Sequence, residues 1–336
     1  MKWLLLSNYN NPGDEWARFG VERIIASIDN SAELFHVEKD TGESIHTRID
    51  YDISVMCGQP LVWSNPYEKD GKRIESSTRT VRWWSDANGW MSEDRKMIVS
   101  GYGTFLFYNS FPDSVHIENR DEVIVSIKAL FDRCRLTYAR TDLVKKFLGE
   151  DTLCLPCPSV FASEFPPTHE LKLCNFMPHG GHYPHCKHDD AGIWDVHERA
   201  VSDLLFKTGF MFIAHSAFEL NHAIFDLGWP EYRCIRFGFD SMEHLKVYSR
   251  CKRYFGNRIH GAIVSRSFGA EVLCCGYDSR LEAVRMVGGD VMIPSMLSSM
   301  LDMGILEAWA NKDSAGEPFD QEAAFKRQKE LIECAI

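Results

Sequence analysis

The stretch from Tyr254 to Arg280 constrains the fold more than any other part of this 336-residue chain. A short apolar strand leads through Gly256 into a helical pattern that ends at Gly269, and a second buried strand follows at Glu271–Cys275. A glycine is the usual residue just beyond a helix C-terminus. Strand, helix and strand in this order form the unit from which parallel sheets are built. The pattern predicts an α/β fold whose ligands bind at the carboxyl ends of the strands.

The same alternation runs on both sides of a proline-rich segment, residues 155–167. It predicts two facing doubly wound, Rossmann-like domains with an interdomain cleft, at residues 1–160 and 168–336. We interpret a tryptophan-rich segment, about residues 67–94, as an insertion in the first domain. We expect a last helix over residues 320–335, which could cross back to the first domain.

Charge and cysteine content narrow the class of protein. A net charge of −11 argues against a nucleic-acid binder and against charge-driven binding to an anionic membrane. An anionic substrate would therefore need a local basic pocket. The apolar run Trp3–Leu6 is too short for a secretory leader, and eleven scattered cysteines are typical of a reducing compartment. We expect a cytoplasmic protein.

Two residues that could bind a ligand or take part in catalysis lie where the helix of this stretch begins. Arg258 and His260 lie between Asn257 and Gly261, and an arginine with an imidazole at a helix N-terminus suits a carboxylate or a phosphate. A structural ion pair for Arg258 and a satisfied histidine are the alternatives. Three more candidate site residues follow the next predicted strand and should lie at the same sheet edge: Tyr277, Asp278 and Arg280.

The first half of the chain has polar or glycine residues at corresponding places. Asn11, Gly13 and Asp14 follow the first strand, where we expect them near bound ligand or, for Asp14, as a simple helix N-cap. Gly101 and Tyr102 follow another strand, where glycine lets backbone approach a ligand.

Arg140 also ends a strand, and Thr141 begins the helix that we expect after it. This position puts Arg140 at the ligand-binding edge, facing Arg258 across the predicted cleft. The alternative is a capping ion pair with Asp142.

Taken in order, these motifs resemble the polysaccharide pyruvyl transferase family from about Met1 to Gly288. The resemblance rests on Asn257-Arg-Ile-His-Gly261 with Ser265 and Gly269, Tyr277-Asp-Ser-Arg280, Asn11-Pro-Gly-Asp14, Ser100-Gly-Tyr-Gly103 and Ala139-Arg-Thr141. It implies a GT-B-like fold and transfer of the pyruvyl group of phosphoenolpyruvate onto two hydroxyls of a sugar in a surface or exopolysaccharide precursor. A cyclic ketal and phosphate would be the products.

In that reaction the resemblance implies His260 as general acid or base, with Arg258 and Arg140 binding the donor. No cofactor or metal is expected, because arginines and a helix terminus can carry the charge. The sequence departs from the family at Thr141, where aspartate is more usual, and at residues 155–159, where an aspartate–proline pair is common.

The His-rich segment 179–188 follows a predicted strand of the second half. We interpret it as a loop in which His179 contributes to binding phosphate or sugar, with metal binding as the alternative. The Cys154-x-x-Cys157 pair lacks a second pair at the spacing of a zinc site.

Two other functions stay open for this sequence. One is a GT-B glycosyltransferase that uses a nucleotide-linked sugar. The other is a non-catalytic glycan-binding protein with the tryptophan-rich insertion as its platform. The expected partners are phosphoenolpyruvate and a glycan or lipid-linked acceptor, which could bring the protein to a membrane surface, and homo-oligomers are compatible with the sequence.

Overall fold

The computed structural model describes the chain at residues 1–8, 11–38, 49–58, 60–63, 65–69, 72–76, 96–105, 116–117, 120–177, 189–236, 240–276, 278–293, 300–317 and 319–336. Within these ranges the chain divides into two compact units. Unit 1 comprises Met1–Ser163 and Asp320–Ile336, and unit 2 comprises Glu164–Phe319.

The strands and helices of the described residues are numbered here in chain order. The strands are β1 Lys2–Ser7, β2 Glu33–Glu38, β3 Ile53–Cys57, β4 Pro60–Trp63, β5 Asn65–Lys69, β6 Lys72–Ser76, β7 Lys96–Phe105, β8 His116–Ile117, β9 Leu136–Ala139, β10 Leu171–Asn175, β11 Met211–Ile213, β12 Cys234–Ile235, β13 Cys251–Gly256, β14 Glu271–Cys275 and β15 Asp290–Met292. The α-helices are α1 Pro12–Ile28, α2 Arg120–Phe131, α3 Lys145–Leu148, α4 Asp189–Lys207, α5 Ala217–Asn221, α6 Ser241–Tyr248, α7 Ile259–Ser267, α8 Leu281–Met286, α9 Met300–Asn311 and α10 Gln321–Ala335.

The main sheet of unit 1 is parallel, in the order β2-β1-β3-β7-β4, and β9 also pairs with β7. Continuous apolar runs such as Leu4–Leu6 in β1 are buried, as in strands covered on both faces. A small second sheet contains the antiparallel pair β5–β6 and β8. This pair lies at the start of the predicted insertion, and the insertion's tryptophans, Trp83, Trp84 and Trp90, lie outside the described residues.

Part of the proline-rich segment is built into unit 1. Its short 3-10 helix, Pro158–Phe161, is buried against α1. Gly20 of α1 permits this approach, since a Cβ there would lie 1.8 Å from the carbonyl oxygen of Pro158. The division between the units comes after Ser163.

The last helix, α10, also belongs to unit 1. Its Gln328 is fully buried, donates to the carbonyl of Pro156 at 2.7 Å and accepts from the Tyr138 hydroxyl at 2.9 Å. Residues from distant parts of the chain thus complete one core.

The sheet of unit 2 is parallel throughout, in the order β12-β11-β10-β13-β14-β15. The chain adds strands on one side of β10 and then returns to its other side with β13. In such sheets the crevice for a ligand opens at the carboxyl ends of the two strands where the order reverses. The predicted α/β class, with a parallel sheet in each half, is confirmed.

Candidate functional site

The switch point of unit 2 lies between β10 and β13, and polar residues follow four neighbouring strands there. Asn175 ends β10, His215 follows β11, Arg258 follows β13 and Asp278 follows β14. Because all four strands are parallel, their carboxyl ends share one edge of the sheet. This edge is the candidate site.

Asn257 joins the two strand ends at the switch point. Its side-chain oxygen accepts from the backbone N–H of Met177 at 2.8 Å, and its amide nitrogen donates to the Met177 carbonyl at 3.3 Å. The side chain is buried and both of its ends are engaged. Asn257 therefore has a structural role here, while its predicted contact with substrate stays a prediction.

Arg258 precedes the first turn of α7 and turns its side chain toward Glu219. Its Nε donates to Oε1 of Glu219 at 2.7 Å, and its Nη2 contacts the same oxygen. The arginine side chain is 20% exposed, whereas that of Glu219 is fully buried. The ion pair that the sequence analysis gave as the alternative for Arg258 is thus present, and the arginine side chain keeps part of its surface exposed.

The carboxylate of Glu219 is surrounded by hydrogen-bond donors. Its Oε2 accepts from the Asn175 amide at 2.7 Å and from the backbone N–H of His215 at 2.8 Å. Each donor satisfies a charge that burial would otherwise make unfavourable.

Beside this pair lies a cluster of aromatic and imidazole side chains. His215 Nε2 is 2.6 Å from the Tyr248 hydroxyl, and the rings of His215 and His244 lie 5.1 Å apart. Burial lowers the pKa of His215 well below its usual range, and the charges of Arg258, His244 and His260 lower it further. His215 is therefore neutral at pH 7.

His260 stands in the first turn of α7, half-buried, near enough to His215 to influence its titration. No side-chain cap closes this helix end within the described residues. The first N–H groups of the helix therefore keep their affinity for an anion. Gly261 follows because a Cβ there would lie 2.7 Å from the Tyr254 hydroxyl oxygen and 2.8 Å from that of Tyr248.

Asp278 and Arg280 pair with each other. Asp278 Oδ1 accepts from Arg280 Nε at 2.8 Å, and Oδ2 accepts from Nη2 at 2.7 Å, while the Arg280 backbone N–H also donates to Oδ1. The pair orders the start of α8. Tyr277 lies outside the described residues.

In unit 1 the Asn11–Asp14 turn opens α1. Asn11, rather than Asp14, is the N-cap: its side-chain oxygen accepts from the Gly13 N–H at 3.1 Å, and its amide donates to Asp14 at 3.1 Å. The capping alternative for Asp14 is therefore wrong, because Pro12 already begins the helix. Whether these three residues contact substrate stays a prediction.

Gly101 and Tyr102 lie within β7 rather than beyond it. Gly101 has φ +60°, and a Cβ there would lie 2.6 Å from Cδ of Pro158, so close packing explains the glycine. Tyr102 is 1% exposed, and its ring is 4.9 Å from that of Phe131. Both residues have packing roles in unit 1.

Arg140 follows β9 and is almost fully buried. Its Nη1 donates to the Gly58 carbonyl at 3.2 Å and contacts Cys157 Sγ at 3.9 Å. Asp142, the partner in the sequence alternative, pairs with Lys145 at 2.9 Å. Thr141 caps a 3-10 turn, Asp142–Val144, that precedes α3. The expected helix from Thr141 therefore begins as a 3-10 turn.

His179 and the rest of segment 179–188 lie outside the described residues. Among the residues that are described, no group of three or more His, Cys, Asp or Glu side chains could hold a metal ion. Cys154 and Cys157 are free thiols. No helix in the described part of the chain is long and apolar enough to cross a membrane.

Glu219, His215 and Tyr248 are absent from the site residues predicted from sequence. The available signal was position: His215 lies two residues beyond the buried strand β11, and Glu219 lies in the helix that follows, near the edge already predicted to bind ligand. Only the fold shows that Glu219 meets Arg258, which is 39 residues away.

Comparisons with solved structures agree with this architecture. The chain has a TM-score of 0.58 to Staphylococcus aureus MnaA with UDP, at 10% identity over 99% of this chain and 96% of the other. It has a TM-score of 0.54 to the Methanocaldococcus jannaschii UDP-GlcNAc 2-epimerase in complex with UDP-GlcNAc and UDP, at 10% identity over 99% of both chains. A Neisseria meningitidis UDP-GlcNAc 2-epimerase bound to UDP-GlcNAc gives 0.50, also at 10% identity over 99% of each.

No protein-family model matches the sequence, and no curated protein matches it. At such low identities the structural likeness concerns the fold alone. The protein has an α/β, GT-B-like fold with a doubly wound parallel sheet in each of two units.

Proposed function

We propose that the protein is a sugar-processing enzyme, and within that class a ketal pyruvyl transferase that uses phosphoenolpyruvate. The observation that carries the proposal is the pair Arg258 and His260 at the first turn of α7. Both side chains are partly exposed, at the carboxyl end of a switch-point strand. The resemblance of the flanking motifs to pyruvyl transferases supplies the reaction.

The reaction needs charge stabilisation and proton transfer in one place. A proton is added to the methylene carbon of phosphoenolpyruvate, and a sugar hydroxyl attacks the adjacent central carbon. The first hydroxyl loses its proton as its C–O bond forms. The second hydroxyl then attacks the same carbon and loses its proton, while the bond from that carbon to the phosphate oxygen breaks. Of the two hydroxyl protons, one replaces the proton added to the methylene carbon and the other leaves with hydrogen phosphate, so the protons balance and no redox step is involved.

The residues of the site fit these steps. His260 would move the proton, since an imidazole titrates near neutrality. Arg258 and the N–H groups of the first turn of α7 would hold the carboxylate or the leaving phosphate. Asp278 with Arg280 is proposed on the acceptor side. The donor-binding role that the resemblance implies for Arg140, a buried residue of unit 1, stays a prediction.

A nucleotide-sugar enzyme, such as a GT-B glycosyltransferase, is the second candidate. It is favoured by the fold shared with structures that contain UDP or UDP-GlcNAc. A non-catalytic glycan-binding protein is the third candidate function. It rests on the tryptophans of the predicted insertion, which lie outside the described residues.

Phosphate release from phosphoenolpyruvate, over a panel of galactosides, glucosides and mannosamine derivatives, tests the proposal. We expect acceptor-dependent release by the wild type and a loss of about a hundredfold or more in His260→Ala, as for a general acid or base. His222→Gln is the matched control and should retain activity, because the ring nitrogens of this histidine of unit 2 contact Glu198 and Asp226. Stabilisation by a nucleotide sugar, with no response to phosphoenolpyruvate in either assay or melting temperature, would instead favour the second candidate.

A further inference from the structure

We propose that Glu219 is the positioning residue of Arg258, holding the guanidinium in the one orientation in which it receives an anionic ligand. The inference rests on the proposed ligand-binding role of Arg258. It adds a residue that no sequence motif marks, and it makes the affinity for the anion depend on a buried acid.

The contacts divide the guanidinium into a held side and an open side. Nε and Nη2 are directed to Oε1 of Glu219, which fixes the plane of the group. Within the part of the chain that the structure describes, Nη1 makes no hydrogen bond, and the side chain is 20% exposed. A long arginine side chain populates many rotamers when nothing holds it. The carboxylate therefore selects one rotamer of the arginine and leaves Nη1 available to a ligand.

Glu219 can do this because its own position is fixed. Its other oxygen accepts from the Asn175 amide and from the backbone N–H of His215, both at strand ends. Asn175 in turn donates to the carbonyl of Ile213 at 2.6 Å. The orientation of Arg258 is thus set by the ends of β10 and β11, which are rigid parts of the sheet.

Two possible roles of Glu219, as a negative charge near the ligand and as the residue that orients Arg258, predict opposite changes in anion affinity for Glu219→Gln. Removing the negative charge of Glu219 should strengthen anion binding if only the net charge near Arg258 mattered. If Glu219 acts by holding Arg258, Glu219→Gln should weaken binding. The amide NH2 replaces one carboxylate oxygen, so its donors face either those of Arg258 or those of Asn175 and His215. The sign of the change therefore identifies the role.

The experiment is a double-mutant cycle read by calorimetric binding of phosphoenolpyruvate and, separately, of UDP. The variants are Glu219→Gln, Arg258→Met and the two combined. We expect Glu219→Gln to weaken binding about tenfold or more, as for loss of charged hydrogen bonds. In the Arg258→Met background the same change should have almost no further effect, because its route to the ligand is gone.

Glu198→Gln is the matched control. Glu198 is also a buried acid of unit 2, and it accepts from the Trp194 indole at 2.9 Å. It is expected to affect melting temperature without affecting ligand affinity. Glu219→Asp, which keeps the charge and shortens its reach, should also bind more weakly than the wild type, and it serves where Glu219→Gln does not fold.

Unchanged or tighter binding by the folded Glu219 variants, or losses that add in the cycle, would overturn the positioning role. Binding of UDP but not of phosphoenolpyruvate by the wild type would remove pyruvyl transfer, while the cycle run with UDP still decides the role of Glu219. If the wild type binds neither anion, both proposals fail.

Discussion

At the scale of single residues, two histidines of unit 2 meet opposite surroundings. His215 is kept neutral by burial and by the nearby Arg258 cation, which both lower its pKa. His222 lies between two acids, with Nδ1 2.8 Å from Asp226 and Nε2 3.0 Å from Glu198. Burial alone would lower the pKa of His222, but the hydrogen bonds and charges of Glu198 and Asp226 outweigh it and raise that pKa above its usual value.

This raised pKa predicts a pH-dependent contribution to stability. A histidine with a folded pKa above its unfolded value of about 6.5 stabilises fully below that pH, and the contribution is lost as pH rises through the folded pKa. The difference in unfolding free energy between wild type and His222→Gln, from urea titrations, should therefore be largest in acid and shrink above about pH 6.5.

His215 also makes stability depend on pH, because its lowered pKa costs stability as pH falls below about 6.5. Since wild type and His222→Gln share this contribution, it cancels in the difference between their unfolding free energies. In a Glu198→Gln/Asp226→Asn background the effect of His222→Gln should no longer depend on pH. A difference that grows with pH in the wild-type background would contradict the assignment.

At the scale of elements, α7 can carry Arg258 and His260 only because it packs closely on the sheet. Its Ala262 and Ser265 are fully buried, and Gly261 lies against two tyrosine hydroxyls. The helix ends as the sequence predicts: Gly269 has φ +84°, and its N–H donates to the Arg266 carbonyl. Small residues thus bring the helix N-terminus to the edge.

Gly261→Ala should destabilise the protein by ~1–3 kcal/mol, because the new methyl group needs space that the hydroxyls of Tyr248 and Tyr254 occupy. Chemical denaturation measures this change. Gly304→Ala is the matched control. Among the described residues, no atom lies within 4 Å of its Cβ position in α9, so the change should be neutral or stabilise by up to ~1 kcal/mol.

Tyr254→Phe should relieve part of the cost of Gly261→Ala, giving a double variant more stable than the sum of the two single effects. Equal effects of Gly261→Ala and Gly304→Ala would show that close packing does not determine the glycine in this motif.

At the scale of the whole molecule, the two units differ in how the chain completes them. Unit 2 is continuous, whereas unit 1 needs α10 from the far end of the chain. Besides Gln328, the fully buried Ile332 belongs to this helix, and Phe325 packs edge-on against Phe161 at 5.3 Å.

Removal of residues 320–336 should therefore unfold or loosen unit 1 and spare unit 2. Hydrogen-exchange mass spectrometry measures both at once: protection should fall in β1 and β9 and persist in β13. Lys326→Ala, at an exposed position of α10, is the control and should preserve both patterns. Equal loss of protection in the two units would show that they do not fold as separate cores.

The sequence predicted well those features that depend on neighbours along the chain. The spacing of apolar residues and the positions of glycines predicted α7, its C-terminus at Gly269 and the flanking strands, because helix ends and buried strands are local patterns. For the same reason Arg258 and His260 could be placed at a helix start and at a sheet edge.

Prediction was weaker where several local patterns compete. Asn11 and Asp14 are both good caps, and Pro12 decided between them by starting the helix early. Tyr102 follows a glycine that resembles a loop, yet β7 continues through it, since a bulge at Gly101 keeps the pairing with β9.

The amino-acid pattern alone therefore predicts the alternation of strands and helices, the parallel sheets and the set of residues at strand ends. Which of those residues meet depends on the tertiary structure. Glu219 and Arg258 belong to different strand–helix units, and the whole of unit 2 lies between β9 and α10 in the chain. Such contacts depend on strand order and on the packing of distant segments, and periodicity along the chain carries no information about either.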